Sequence, residues 1–168
     1  MKNEEKYVWL IRHGKSAWPS GVPDLERPLN ERGRRDGATM AQVLATTEHV
    51  PQLFYSSDSE RTRQTTELLN EVLKIPVTIT HDLYTGAHHT VETLLRQTGE
   101  WLSCVAVVSH LPTIESCIRA TNEWPEESGF PTLAAVCYEL SGKWKQIEFA
   151  ESRFKEFFMP RMFRGDSK

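Results

Sequence analysis

Short apolar, β-branched runs alternate along this chain with stretches of helical periodicity, and that alternation restricts the fold more than any other feature. Residues 7–11, 53–56, 77–80 and 104–109 read as strands, the last of them fully buried. After a loop rich in Pro and Gly, Asn30 caps a helix reaching about Ala45, with Met40, Val43 and Leu44 inward. Ser57-Asp58-Ser59-Glu60 has the capping-box pattern S-x-x-E and opens a helix to about Leu73. Residues 91–97 form a third helix, and Pro112 starts a fourth that runs to about Ala120. Residues 134–140 and 143–149 flank Ser141-Gly142 as the strands of a hairpin. The order β-α-β-α-β-α-β-α-β-β predicts an α/β protein, a three-layer α/β/α sandwich. Its sheet is mainly parallel, with an antiparallel strand at the edge. The length of 168 residues fits one domain over 1–168, with a core of about 7–149 and a tail, 150–168, packed on it or extending from it.

Composition excludes several classes. Twenty Lys and Arg against 23 Asp and Glu leave a net charge of −3, too balanced for a general nucleic-acid binder. An anionic ligand must therefore be held by local charge. The apolar runs 8–11 and 105–108 fall far short of the ~20 residues of a membrane span. The N-terminus is charged and leads into only a few apolar residues, which does not read as a signal peptide. Cys104, Cys117 and Cys137 are odd in number and lack paired metal spacing, so they read as reduced thiols of a cytoplasmic protein. The tail mixes Arg153, Lys155, Arg161, Arg164 and Lys168 with Glu151, Glu156, Asp166 and the rings of Phe154, Phe157, Phe158 and Phe163. It either packs back onto the domain or docks a partner.

In open α/β sheets, ligands bind outside the carboxyl ends of the strands. The unusual residues fall there: Arg12-His13-Gly14 after the first strand, Ser56-Ser57 after the second, His81-Asp82 after the third and Ser109-His110 after the fourth. Arg61 extends backwards the inward stripe of Thr65, Leu68, Leu69 and Val72. A cation in a first helical turn sits at the wrong end of the helix dipole. An anion between Arg61 and the helix N-terminus removes that objection. Arg63 points the other way, to the surface. Two arginines and two histidines without an acidic cluster make a poor metal site, since guanidinium cannot ligate. They make a good phosphate site, because guanidinium forks match phosphate oxygens bidentately. One histidine can attack phosphorus, and the cationic ring of a second can stabilise the transferring group.

At these residues the chain resembles the histidine phosphatase superfamily, of phosphoglycerate mutase-like fold, and within it the SixA-like phosphohistidine phosphatases. The resemblance runs from about Val8 to Phe149. Arg12-His13-Gly14 is similar to the family's RHG signature, which implies that His13 is the nucleophile. Ser57 to Thr65 is similar to S-x-x-x-R-[AT]-x-x-T, which implies that Arg61 is a second phosphate arginine. Ser109-His110-Leu111-Pro112 resembles the segment carrying the second histidine. Asp24-Leu25-Glu26-Arg27-Pro28-Leu29 with Gly33 resembles the subgroup's D-x-x-R-P-L-x-x-x-G, which implies a third pocket arginine, Arg27. Ser16 follows the family preference for Ser or Thr, Lys15 replaces a frequent glutamate, and both are phosphate- or substrate-contact candidates with Gly14. Asp58 stands where proline is common.

Relatives that cleave phosphomonoesters carry a carboxylic general acid; here Asp82 and Glu115 are the carboxylates in the corresponding segments, and neither is a clear donor. An alkoxide leaving group gains greatly from proton donation, whereas phosphohistidine releases an imidazole that departs readily once protonated. His81, His88 and His89 are substitute acids or exposed loop histidines. The reading is therefore a phosphatase of protein phosphohistidine working through phospho-His13, with no metal or organic cofactor implied. The alternatives are a small-molecule phosphomonoesterase and, of a different class, a catalytically idle phospho-binding module. The partner is a phosphorylated protein or small molecule; oligomeric state is not readable. The segment His81 to His89 after the third strand, where larger relatives could insert a lid, is only nine residues, so the pocket is expected to be shallow and uncapped.

Overall fold

The structure, a computed structural model, describes residues 5–123 and 129–165. Met1 to Glu4 at the charged N-terminus, and Asp166 and Lys168 of the tail, lie outside the described residues.

Six strands form one sheet in the order β3-β2-β4-β1-β5-β6: β1 Lys6–Arg12, β2 Phe54–Ser57, β3 Val77–Thr80, β4 Cys104–Ser109, β5 Ala135–Leu140 and β6 Ser152–Phe158. The first four are parallel, while β5 runs antiparallel to β1 and β6 to β5. Helices α1 (Glu31–Ala45), α2 (Glu60–Leu73), α3 (Asp82–Thr85), α4 (His88–Leu95) and α5 (Leu111–Thr121) connect them.

Period-two side-chain alternation, with both faces covered, builds the layers. Along β1, Val8 and Leu10 join the core formed with Val91 and Leu95 of α4 and Ile114, Cys117 and Ile118 of α5. Trp9 and Ile11 face the opposite core, with Met40, Ala41 and Leu44 of α1 and Leu69 of α2. The result is the expected α/β/α sandwich, with two antiparallel strands at one edge rather than one.

The second strand of the hairpin is where the sequence misleads most. Residues 143–149 are not a strand; they hold a 3-10 turn, Trp144–Gln146, and lead into another, Phe149–Glu151. Trp144, Ile147 and Phe149 are buried as pins under this loop, and their near-alternation imitates a strand. The true edge strand is β6, in the tail. Phe157 and Phe158 pack on opposite sides of the sheet, against Phe130 and Trp9, while Phe154 and Phe163 remain exposed.

Smaller differences sit at helix starts. Asn30 caps α1 as expected, accepting from Gly33 N–H at 2.9 Å, and Val43 is only half-buried. On α2 the N-cap is Ser59, whose side chain accepts from Thr62 N–H; Ser57 belongs to β2. The one extra residue of strand frees Ser57 for the site. The third helix starts at His88, three residues before the predicted start, with α3 ahead of it. Val72 of the inward stripe is 36% exposed and Leu68 half-buried.

Candidate active site

Strands β1, β4 and β2 are neighbours, so their carboxyl ends meet. Arg12 is in register with Ser109, and His13 N–H donates to the Ser109 carbonyl at 3.0 Å. The segments ending β1 and β4 therefore deliver His13 and His110 side by side, with ring centroids 5.2 Å apart. From α2, Arg61 turns inward and is only 6% exposed, while Arg63 is exposed. Arg61 Nη2 stands 3.4 Å from His110 Nδ1.

A second loop brings in Arg27. Residues 15–17 zip against 28–30: Ala17 N–H donates to Pro28 O and Asn30 N–H to Lys15 O, both at 2.9 Å. Only glycine fits at 33, because a Cβ there would stand 2.3 Å from the Lys15 carbonyl oxygen. Gly14 N–H donates to Thr65 Oγ1 at 3.0 Å, and Thr65 in turn donates to the Arg61 carbonyl, which fixes the first loop against α2. Buried Arg27 donates through Nε to Ala17 O (3.1 Å) and through Nη2 to Ser16 Oγ (2.5 Å). Trp18, 78% exposed, lies 3.2 Å from the Arg27 guanidinium carbon, ring centroid to Cζ.

Arg12, His13, Lys15, Ser16, Trp18, Arg27, Arg61 and Thr132 line one cavity of about 200 Å³. Six of the eight residues named from the sequence are in that lining. His110 adjoins it through His13 and Arg61, and Gly14 supplies backbone beside it. Lys15 is exposed at the mouth. Arg12 Nη1 donates to Phe130 O at 2.9 Å, but its buried Nε has no hydrogen-bond partner among the described residues. Burial lowers the Arg12 pKa, and Glu115 opposes that shift.

The protonation pattern follows from the contacts. His13 Nδ1 is 2.7 Å from the Gly14 carbonyl oxygen, which can only accept, so Nδ1 carries the proton and Nε2 the lone pair. Burial pushes the His13 pKa down to about 3, with His110, Arg61 and Arg12 adding repulsion against the Gly14 hydrogen bond. His110 is pushed down to about 4 by burial and by Arg61. Its Nδ1 faces the Arg61 donor while Nε2 is 3.0 Å from Ser57 Oγ. Both rings are thus neutral at neutral pH until a negative charge joins them.

Besides Trp18 and Thr132 of the lining, two residues that hold the site had no role assigned from the sequence. Asp24, in the 3-10 turn Asp24–Glu26, bridges two arginines: Oδ1 accepts from Arg27 at 2.9 Å and Oδ2 from Arg61 at 3.0 Å, while its carbonyl accepts from Arg61 at 2.7 Å. Tyr84 of α3 donates its hydroxyl to Asp24 Oδ2 and sets its ring edge-on to His110, centroids 5.2 Å apart. The Tyr84 hydrogen bond, then those from Arg27 and Arg61, hold the Asp24 carboxyl well below the usual carboxylate range. Asp24 opens the D-x-x-R-P-L stretch, yet nothing in one sequence says that one carboxylate serves both arginines.

The acid candidates disperse. His81 is exposed, with Nδ1 2.8 Å from Asp58 Oδ2 and its ring against Tyr84. Asp82 is exposed and lines a different groove, with Thr78 and Thr80. Glu115 is half-buried and pairs with Arg119 at 3.8 Å. His88 and His89 line a separate cavity on α4, so as substitute acids for this pocket they are misplaced.

The family model of the histidine phosphatase superfamily (branch 1) matches residues 8–85. Among solved structures, a protein of Agrobacterium tumefaciens assigned as the phosphohistidine phosphatase SixA is 28% identical, with 92% of this chain and 99% of that chain covered and a TM-score of 0.78. The protein histidine phosphatase SixA complexed with tungstate is 24% identical and covers 94% of this chain and 99% of its own, at a TM-score of 0.79. A mycobacterial glucosyl-3-phosphoglycerate phosphatase shares the fold at 16% identity, over 90% of this chain and 97% of its own, with a TM-score of 0.69. The sheet order, the paired histidines at adjacent strand ends and these matches have one common reading. Over residues 8–85 the chain is similar to the histidine phosphatase superfamily, and as a whole it shares the fold of the SixA structures.

Proposed function

We propose that this protein hydrolyses phosphohistidine on a protein substrate by passing the phosphoryl group through His13. The observation that carries this reading is the His13 ring: Nδ1–H is spent on Gly14, and Nε2 is a neutral lone pair in a cavity lined by Arg12, Arg27 and Arg61. The unpartnered Arg12 Nε supplies a buried donor for a phosphoryl oxygen.

His13 Nε2 attacks phosphorus as the bond to the substrate nitrogen breaks, and the departing imidazole nitrogen takes a proton from water. Arg12, Arg61 and Arg27 hold the phosphoryl oxygens. His110 gains a proton as the anion enters and stabilises charge on the transferring group. Water then attacks phospho-His13, giving inorganic phosphate and restoring the Nε2 lone pair. Ser16, Lys15 and the Gly14 backbone complete the contacts to the anion.

The leaving group separates protein phosphohistidine from alkyl phosphates. Among the described residues the cavity lining contains no carboxylic acid, and Asp24, which binds two of its arginines, is held ionised and cannot donate a proton. An alkoxide would depart without help; an imidazole has less need of it. The test is kcat/KM on a phosphohistidine peptide, the matching phosphoserine peptide, and a set of sugar and nucleotide phosphates. Preference for the phosphohistidine peptide is expected. Preference for an alkyl phosphate, or binding of all without turnover, contradicts the reading.

A further inference from the structure

We infer that His88, His89 and Glu92 form a binding site for one divalent transition metal, best matched by Zn2+, in a cavity that shares no lining residue with the phosphate pocket. On α4, Glu92 follows His88 by four residues and His89 by three, so its side chain falls between the two rings on the helix surface. One ligand atom from each of the three lies within 4.8 Å of the others, and the two imidazole centroids are 3.9 Å apart. Around a tetrahedral Zn2+ with bonds of 2.0–2.1 Å the ligand atoms stand about 3.3 Å apart. The remaining contraction falls to His89, whose side chain is 84% exposed and free to rotate.

The atoms that would not touch the metal are already held. Glu92 is buried, and its Oε2 accepts the Phe149 N–H at 2.9 Å. Its Oε1 has only His89 Nδ1 nearby at 3.5 Å, beyond ordinary hydrogen-bond length. His88 Nδ1 lies 3.0 Å from Ser116 Oγ; with that nitrogen donating, Nε2 is left as a lone pair. This outer anchoring of a histidine ligand is the usual companion of a metal site. Glu148 lines the same cavity, of about 370 Å³. Arg96 also borders it, but Nε and Nη2 both donate to the Ile147 carbonyl, at 3.2 and 3.1 Å. Imidazole and carboxylate together suit Zn2+. Cys104, Cys117 and Cys137 are buried with thiol pKa values pushed up by burial, so they do not compete for it.

Bound there, the ion would tie α4 to the Phe149–Glu151 turn, which leads directly into β6. The test is calorimetric titration of the metal-free protein with Zn2+, with Co2+ absorption as a second readout and melting temperature with and without EDTA as a third. The expected result is one saturable site, a raised melting temperature, and affinity lower by at least about tenfold in His89→Ala and His89→Gln. Both variants should keep wild-type phosphatase activity. The proposal is overturned if no stoichiometric binding occurs, if both His89 variants bind as the wild type does, or if binding is lost in His13→Ala instead.

Discussion

At the scale of residues, one carboxylate organises the arginines. Asp24 takes Arg27 on one oxygen and Arg61 on the other, and Tyr84 fixes the second oxygen from α3. A buried guanidinium with several rotatable bonds would otherwise sample orientations unsuited to a phosphoryl group. Asp24→Asn keeps the shape but removes the charge that aligns both forks. Its kcat/KM on the preferred phosphorylated substrate should fall about tenfold, with Tyr84→Phe showing a smaller loss; steady-state kinetics on folded variants checks both. Arg61→Ala should cost about 10²–10³-fold, and Arg61→Lys should restore little, because an ammonium lacks the planar fork.

The two histidines also write a pH dependence into stability. With folded pKa values of about 3 for His13 and about 4 for His110, both bind fewer protons folded than unfolded. Their contribution is therefore fully present above the ordinary value near 6.5 and is lost as pH falls through the window toward 4 and 3. Melting temperature should drop between pH 7 and pH 4.5 by more in the wild type than in a His13→Asn, His110→Asn double variant. Equal drops would show that the burial of these rings is not what couples them to folding.

At the scale of elements, the strand ends explain why the site was legible. Four parallel strands ended in the sequence where they end in the structure, or within one residue of it, and Arg12, His13, Ser109 and His110 follow from that placement. What one sequence could not supply were contacts set by three-dimensional closure. Ser57 looked like a cap because S-x-x-E is a local pattern; β2 instead runs on to Ser57, and its hydroxyl meets His110. The 143–149 segment looked like a strand because its buried residues nearly alternate, although 3-10 turns carry them. The edge strand was hidden in an amphipathic tail, where Arg153, Lys155 and Glu156 break the apolar pattern as edge strands commonly do. Because β6 pairs with β5 from Ser152 to Phe158 and half-buries Phe157 and Phe158 against the two cores, the tail is part of the sheet. A chain ending at Ala150 should show no cooperative melting transition by circular dichroism. A truncated chain that melts as the full one does would mean that β6 adds nothing to the fold.

For the whole molecule, the near-neutral charge and the concentrated site belong together. A net charge of −3 leaves no general attraction for anions, yet Arg12, Lys15, Arg27 and Arg61 converge on one cavity of about 200 Å³. Among the described residues no helix is long and apolar enough to cross a membrane. The segment from His81 to His89 is spent on the short helix α3 and the start of α4, so no long insertion rises over the pocket there. That geometry suits a phosphoryl group presented on the surface of another protein. The claim that unites the account is that this group passes through His13. Rapid acid-free quenching after mixing with a radiolabelled phosphohistidine peptide tests it most directly. A transient phosphoenzyme, stable in alkali and labile in acid, is expected to map to His13 and to be missing in His13→Ala. Turnover without a phosphoenzyme, or label on any residue other than His13, would contradict it.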